Sequence, residues 1–355
     1  MPDTDGLNPT DGSALELSIV IPCLNEAETL PRCLAKALRF LSDNQVAGEV
    51  VVADNGSTDN SAELAVQLGA RVVRVVERGY GEALRQGIAS ARGRFVVMGD
   101  ADDSYDFAAL APFLDQLRAG ADLVQGCRFP AGGGTIVDGA MPALHRWLGN
   151  PLFSVLAQRM FHVPVKDIYC GLRGFRRELI SELDLVSDGM EFATEMLIKA
   201  SQRGARITEV PITLHCDGRT AHASHLRTFR DGWRTLRLFL ICSPRWLFVY
   251  PGLLLLGLGG LGFAVAMPGL TFFGATFDAH TLLFASLALM IGYQSVLFGW
   301  LARTLAAREG FLRETKLLGW LRETLSLERG LVAGSIGLLT GVALLLAAKA
   351  QWQAA

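Results

Sequence analysis

The stretch FVVMGDADDSYDF, residues 95–107, decides how the polar part of this chain is read. An apolar run, Phe95 to Met98, meets a glycine and is followed by Asp100, Asp102, Asp103 and Asp106. A short continuous apolar run bounded by a glycine fits a strand covered on both faces. Carboxylates crowded at the end of such a strand repel one another, and each raises its neighbour's pKa unless a cation relieves the repulsion. A hard divalent ion with oxygen ligands, Mg2+ or Mn2+, does so, held by one or two carboxylates and the phosphates of a substrate. Asp100 and Asp102 are the expected metal ligands, because an irregular turn can bring carboxylates two residues apart to one point. Solvated turn acids account as well for an isolated Asp-x-Asp. Here the strand it closes favours the metal.

Outward from that strand, residues 17–128 repeat one pattern of short β-branched run, turn and amphipathic segment. The strands read 17–22, 49–54, 71–76, 95–99 and 122–126, with helical stretches at about 26–41, 59–68, 82–91 and 107–119 between them. This alternation predicts an α/β fold with a mostly parallel, Rossmann-like nucleotide-binding sheet under helices on both faces. Ligands of such sheets bind outside the carboxyl ends of the strands. The polar clusters fall there: PCLNE from Pro22, DNGSTD from Asp54, ERGYGEA from Glu77 and DADD from Asp100. Together they suit a nucleotide diphosphate. Asp54 can accept hydrogen bonds from a base or ribose. The turn GYGEALRQG, from Gly79 through Gly81 to Gly87, opens a helix N-terminus to close approach by phosphate or ribose. Asn25 and Glu26 open the first helix, where capping is as good a reading as ligand contact. The Gly79–Gly87 turn is not GxGxxG, so it supports no dinucleotide fingerprint, and no GxxxxGK[ST] occurs anywhere, which removes the P-loop reading.

Lys and Arg total 33 against 35 Asp and Glu, a net charge of −2, so bulk charge points to no nucleic-acid partner. The apolar excess lies after Trp246. Three segments there approach the roughly 20 apolar residues that cross a bilayer. They run about 246–263 (extendable to 273), 281–300 and 331–348, and three charge-free runs in succession argue against buried soluble helices. The connection between the first two carries no Lys or Arg, whereas Arg303, Arg308, Arg313, Lys316, Arg322 and Arg329 lie between the second and third. The positive-inside bias then assigns the second connection and the N-terminal domain to the cytoplasm, and the first connection and the tail to the outside. The acidic start MPDTDGLNPTDGSALE lacks a signal-peptide pattern, which agrees with that assignment. Six scattered cysteines without a CxxC pair read as thiols of a reducing compartment.

Taken in order, PCLNE, ADNGSTD, RGYGEA, GDADD, GCRF, CGLRGFRR and DGR, followed by membrane spans, resemble the family 2 glycosyltransferases of GT-A fold. Within these the chain looks most like the polyprenyl-phosphate glycosyltransferases, the dolichol-phosphate mannose and glucose synthases and their bacterial relatives. The resemblance covers residues 17 to about 245; the membrane region is similar only in kind. It implies that Pro22, Asn25, Glu26 and Asp54 contact base and ribose, and that Asp100 and Asp102 ligate the diphosphate-bound Mg2+ or Mn2+. Arg128 in GCRF and Arg219 in DGR resemble the family's phosphate-contacting arginines, with Arg146 a looser match, and Arg173 corresponds to a motif residue near the donor site. Many relatives carry a glutamine as third metal ligand where this chain has Ser104. Asp103, water or a different loop geometry would then complete the shell.

The segment LRTFRDGWRTLRLFL, residues 226–240, carries an apolar stripe of Leu226, Phe229, Trp233, Leu236 and Leu240 beside Arg227, Arg230, Arg234 and Arg237. A basic amphipathic helix leading into a span is expected to lie in the membrane interface, each arginine contributing roughly 1 kcal/mol near an anionic surface. A second apolar helix, about 142–161, follows the glycine-rich AGGGTIVDGA, a loop suited to cover an acceptor. His222 and His225 sit in a basic stretch and make a poor metal site. The expected organisation is a polar tail (1–16), a cytoplasmic GT-A catalytic domain (17–220), an interfacial helix (221–245) and a membrane domain (246–355). The expected activity is inverting transfer of a hexose from a nucleotide-sugar such as UDP-glucose or GDP-mannose to a polyprenyl phosphate, undecaprenyl or dolichyl, at the inner (plasma) membrane. Asp102, Arg128 and Arg219 carry it, and a homo-oligomer is compatible with it. A processive polysaccharide synthase would carry QxxRW, which is absent, and a nucleotidyltransferase would carry a glycine-rich loop after its first strand. A membrane glycosyltransferase with a saccharide or other lipid acceptor is the alternative within enzymes. A catalytically silent nucleotide-sugar-binding scaffold is the alternative outside them, and donor hydrolysis would separate the two.

Overall fold

The computed structural model describes residues 15–220, 228–269, 271–272, 275–308 and 327–354. The chain divides into two compact units, Met1–Leu247 and Phe248–Ala355. The first is built on strands β1 (Leu17–Cys23), β2 (Gly48–Asp54), β3 (Arg71–Arg74), β4 (Phe95–Met98), β5 (Leu123–Cys127), β7 (Arg173–Arg176) and β8 (Ile207–Pro211). They form one sheet in the order β3-β2-β1-β4-β7-β5-β8. Neighbours from β3 to β4 run parallel, as do β5 and β8. A separate short pair, β6 (Thr135–Ile136) and β9 (Thr213–Leu214), also runs parallel.

Alternation along the central strands explains why both faces are covered. Leu17, Ile19 and Ile21 of β1, with Phe95 and Val97 of β4, enter one apolar core. Val20, Val96 and Met98 enter the other. Side chains of a strand point to opposite faces in turn, so an unbroken apolar run needs helices on each side. Helix α1 (Leu30–Asp43) supplies one of them, burying Leu30, Cys33, Leu34, Ala37 and Leu41 at helical spacing. It stops where the Asn44 amide donates to the Phe40 carbonyl at 2.9 Å and Gln45 turns left-handed at φ 53°. Helices α2 (Ser61–Gln67), α3 (Tyr80–Ser90) and α4 (Ala111–Arg118) follow β2, β3 and β4.

Two sequence expectations are corrected, and one strand is added that the sequence reading did not assign. The first helix starts at Leu30, after the loop that carries Asn25 and Glu26. The helix expected from 107 is a 3-10 turn, Phe107–Ala109, followed by α4, with Pro112 in its first turn. CGLRGFRR contains β7, which lies antiparallel between β4 and β5. Four residues flanked by arginines carry no apolar alternation to announce a strand.

The unit is completed by α5 (Asn150–Phe161), entered through a π-helical turn at His145–Gly149, and by α6 (Arg177–Leu183), α7 (Glu191–Gln202) and α8 (Thr228–Cys242). Helix α8 docks through Phe239, fully buried in edge-on contact with Phe153 and Phe161. Phe229 and Trp233 remain exposed.

The second unit holds α9 (Tyr250–Ala266), a two-residue hairpin β10 (Thr271–Phe272) and β11 (Ala275–Thr276), α10 (Ala279–Arg308) and α11 (Leu327–Ala354). Three helices, Arg245–Ala266, Ala279–Ala307 and Leu327–Gln353, are long and apolar enough to cross a membrane. Helices α9 and α10 meet so closely that a Cβ on Gly252 would lie 2.8 Å from the Gly292 carbonyl oxygen. Small residues permit such approach where apolar lipid offers no hydrophobic drive. The tail to residue 14, His222, His225, Leu226, Arg227, Arg313, Lys316 and Arg322 lie outside the described residues.

Candidate active site

The acidic cluster divides in two. Asp100 and Asp102 turn to the carboxyl edge of the sheet, and the others do not. Asp103, left-handed at φ 62°, pairs with Arg32 at 3.3 Å and Lys36 at 2.8 Å on α1. Asp106 caps the 3-10 turn by accepting from Ala108 N–H at 3.1 Å. Asp100 Oδ1 accepts from the Tyr80 hydroxyl at 2.8 Å. Asp102 Oδ1 accepts from the Ser104 N–H at 3.0 Å and hydroxyl at 2.6 Å, and its Oδ2 accepts from Arg219 at 2.8 Å. Burial, and then the Asp102 charge, push the Asp100 carboxyl up to about 6 against the pull of Tyr80, Arg219 and Arg128.

That strain is what a divalent cation relieves. Ser104 is committed to orienting Asp102, and Asp103 faces away. Among the described residues no three His, Cys, Asp or Glu side chains gather as a metal set. Two hard carboxylates, completed by diphosphate oxygens and water, fit Mg2+ or Mn2+.

Arg219 sits against this pair, held by Glu26 at 3.1 Å, Asp102 at 2.8 Å and Asp217 at 2.8 Å. Its segment lies across the loop, with Gly218 N–H donating to the Asp102 carbonyl at 2.9 Å and Arg32 donating to the Gly218 carbonyl at 3.1 Å. Glu26 is buried and also accepts from the Thr29 hydroxyl at 3.0 Å. Arg128 is buried too, bidentate to Asp167 at 2.7 and 2.9 Å. Its charge reaches Asp100, which it helps keep ionised.

The remaining expected residues sit further off or below. Among the described residues no bond joins Arg146 to the carboxylates; it lies 3.9 Å from Asp138 and over the Trp147 ring. Arg173 is fully buried and donates to the carbonyls of Ala193 and Cys170, so its guanidinium braces the floor of the site. Pro22 is the last residue but one of β1, opposite Ala53, and Asp54 ends β2, accepting from Ser57 N–H at 3.2 Å. Asn25 is left-handed at φ 59° and ties the two loops together, its amide oxygen accepting from Thr58 N–H at 2.7 Å. Gly79 and Gly81 have a packing reason: a Cβ would lie 2.5 Å from the Asp188 carbonyl oxygen at the first and 2.4 Å from that of Ser187 at the second.

Sequence reasoning passes over Tyr80 and Asp167. Both stand inside or beside quoted motifs, in GYGEA and just before CGLRG, so a search for polar groups within motifs finds them.

Residues 18–184 match the glycosyl transferase family 2 model, and 300–355 match the glycosyltransferase family 2 C-terminal transmembrane region. The low-salt glycan biosynthesis hexosyltransferase Agl6 of Haloferax volcanii is 38% identical over 328 residues, which cover 92% of this chain and 78% of that protein. A dolichyl-phosphate hexose transferase of the same organism is 35% identical over 197 residues, 56% of this chain and 82% of that protein. Among solved structures, glucosyl-3-phosphoglycerate synthase from Mycobacterium tuberculosis, in complex with Mn2+, UDP and glucosyl-3-phosphoglycerate, aligns at TM-score 0.50 and 24% identity. That alignment covers 64% of this chain and 79% of the synthase. At this identity the likeness carries the fold: a GT-A sheet domain, here followed by apolar C-terminal helices.

Proposed function

Because the chain belongs to glycosyl transferase family 2, we propose that it transfers a hexose, with inversion, from a nucleotide-sugar to a polyprenyl phosphate at the cytoplasmic face of the membrane. The observation that carries this reading is the meeting of Asp100 and Asp102 with two arginines, the buried Arg128 and the half-buried Arg219, at one sheet edge. The likeness to a dolichyl-phosphate hexose transferase supports the acceptor class.

Each residue has a distinct task in this reaction. Asp54, at the end of β2, receives the nucleoside, while Asn25 keeps the β1 and β2 loops in register. Asp100 and Asp102 hold the cation. A bound Mg2+ or Mn2+ supplies charge neutralisation of the diphosphate leaving group. An acceptor phosphate oxygen attacks the anomeric carbon from the face opposite the diphosphate, and the electron pair of the broken C–O bond leaves with the nucleoside diphosphate. A phosphate monoester has a second pKa of about 6, so the attacking oxygen is already ionised at neutral pH and needs no general base. It does need positive charge, because two anions must come together. Arg128 and Arg219 supply that charge as charge-assisted donors, with Asp167 fixing the first and Glu26 and Asp217 the second.

The test is acceptor choice by purified protein given labelled UDP-glucose or GDP-mannose. Polyprenyl phosphate accepts the sugar and the free polyprenol does not, and the product is a lipid-linked monosaccharide labile to mild acid. Arg128→Ala and Arg219→Ala lose transfer more than nucleotide binding. A better rate with the free alcohol or with an oligosaccharide end would overturn the acceptor while leaving family and fold untouched.

A further inference from the structure

Tyr80 opens α3, and its hydroxyl donates to Asp100 Oδ1 at 2.8 Å. The other oxygen, Oδ2, receives no hydrogen bond from any described residue; it faces Gly171, where a Cβ would stand 2.5 Å away. One carboxylate oxygen is thus occupied and its twin left open. The backbone on either side of Tyr80 is held as well. Gly79 N–H donates to the Asn55 amide oxygen at 2.8 Å, and the Asn55 amide donates to the Glu77 carbonyl at 2.7 Å. Gly81 N–H donates to the Asp188 carbonyl at 2.8 Å. The turn carrying Tyr80 is therefore fixed on both sides of the residue. Asn55 adjoins Asp54, so one run of bonds joins the nucleoside end of the site to the Asp100 carboxylate.

We propose that Tyr80 is a positioning residue of the cation site, holding Asp100 by Oδ1 so that Oδ2 is presented to the metal. The inference rests on the cation reading of Asp100 and Asp102. The physical reason is orientational: a carboxylate free to rotate spends part of its time with neither oxygen aimed at the ion. Outer partners that orient a metal ligand typically change affinity by about 10–100-fold when removed. Tyr80→Phe removes the hydroxyl and keeps the ring.

The experiment is Mn2+ titration of the full-length protein in detergent, followed by EPR, with UDP and separately with GDP present. Tyr80→Phe is expected to raise the Mn2+ Kd about tenfold, at the low end of that range, while its melting temperature without metal stays at the wild-type value. Asp100→Asn and the Asp100→Asn/Tyr80→Phe pair are expected to bind Mn2+ alike, because the hydroxyl acts only through that carboxylate. If wild type binds Mn2+ and Tyr80→Phe binds it equally well, the role of Tyr80 is overturned and the cation reading stands. A tenfold loss that persists in the Asp100→Asn background overturns it also, marking a general effect on the fold. Absence of Mn2+ binding by wild type with either nucleotide would remove the cation reading and this inference with it.

Discussion

Asp100 Oδ2 stays open only because the neighbouring residue, Gly171, has no side chain. Gly171 N–H donates to the Tyr105 hydroxyl at 2.9 Å, which fixes the backbone, and a Cβ there would meet Asp100 Oδ2 at 2.5 Å and the Tyr105 ring at 3.2 Å. The glycine of CGLRG is thus explained by space at the carboxylate. Gly171→Ala is expected to displace Asp100 and lower kcat/KM at least tenfold. Its stability cost is the ordinary penalty of overpacking, about 1–3 kcal/mol. Steady-state kinetics beside thermal melting check this, and wild-type kinetics from the variant would mean that Asp100 is not needed in its present position. Arg128 and Arg173 show how differently a buried guanidinium can be used. The first keeps a bidentate carboxylate partner, whereas the second has backbone carbonyls and a lowered pKa from burial.

At the scale of elements, α7 supports the site from a distance. Glu195 on α7 is buried, accepts from Ser187 N–H at 2.8 Å and pairs with Lys199 at 2.7 Å. It thereby holds residues 186–188, on which Gly79 and Gly81 pack. Burial alone would raise its pKa, but the bonds from Lys199 and Ser187 hold the carboxyl below its ordinary 4.5. A depressed folded pKa contributes stability that is complete above the unfolded value and is lost as pH falls through the folded one. Glu195→Gln is therefore expected to cost about 2 kcal/mol at pH 7, the scale of hydrogen bonds to a charged group. Below pH 4.5 the variant should also lose less stability than wild type on further acidification. Melting curves at neutral and acidic pH decide it, and parallel curves would show that Glu195 is not the titrating group.

The entry to α5 and the start of α8 meet at the surface of the first unit. Trp147 and Phe229 are 75% and 86% exposed, and His145 Nε2 lies 2.9 Å from the Thr228 hydroxyl, joining the two. Apolar side chains on basic helices suit a membrane interface. Trp147→Glu with Phe229→Glu is expected to raise the KM for a long-chain polyprenyl phosphate several-fold, leaving the KM for a short, water-soluble isoprenyl phosphate and the nucleotide affinity unchanged. Equal losses for all three would indicate damage to the fold.

For the whole molecule, the proposed orientation makes the sheet domain cytoplasmic. The connection at 267–278, which has no Lys or Arg, and the one at 309–326, which has Arg313, Lys316 and Arg322, then face opposite sides. In a background without reactive native thiols, a cysteine placed in the first is expected to react with an impermeant maleimide on intact cells. One placed in the second should react only after permeabilisation. The reverse pattern would put the active site on the wrong side for a cytoplasmic nucleotide-sugar.

Local pattern was enough for much of this. The apolar runs of β1, β2 and β4 are uninterrupted and closed by turn residues, so strand identity, parallel order and the gathering of polar clusters at the carboxyl edge are legible in the sequence. The three membrane helices are legible for the same reason, since length and apolarity alone set that requirement. Asp100 and Asp102 could be singled out from Asp103 and Asp106 by spacing and by resemblance to a family. What turns Asp103 away, toward Arg32 and Lys36, appears only once α1 is packed beside the loop, whereas Asp106 is taken locally by the 3-10 turn two residues on. The reversed strand β7, the burial of Arg173 and the reason for Gly79 and Gly81 depend on contacts across tens of residues, which leave no periodicity to read. The Tyr80–Asp100 bond spans 20 residues and two elements. Side-chain chemistry fixed which groups could meet at this edge; only the packing of the sheet determined which ones do.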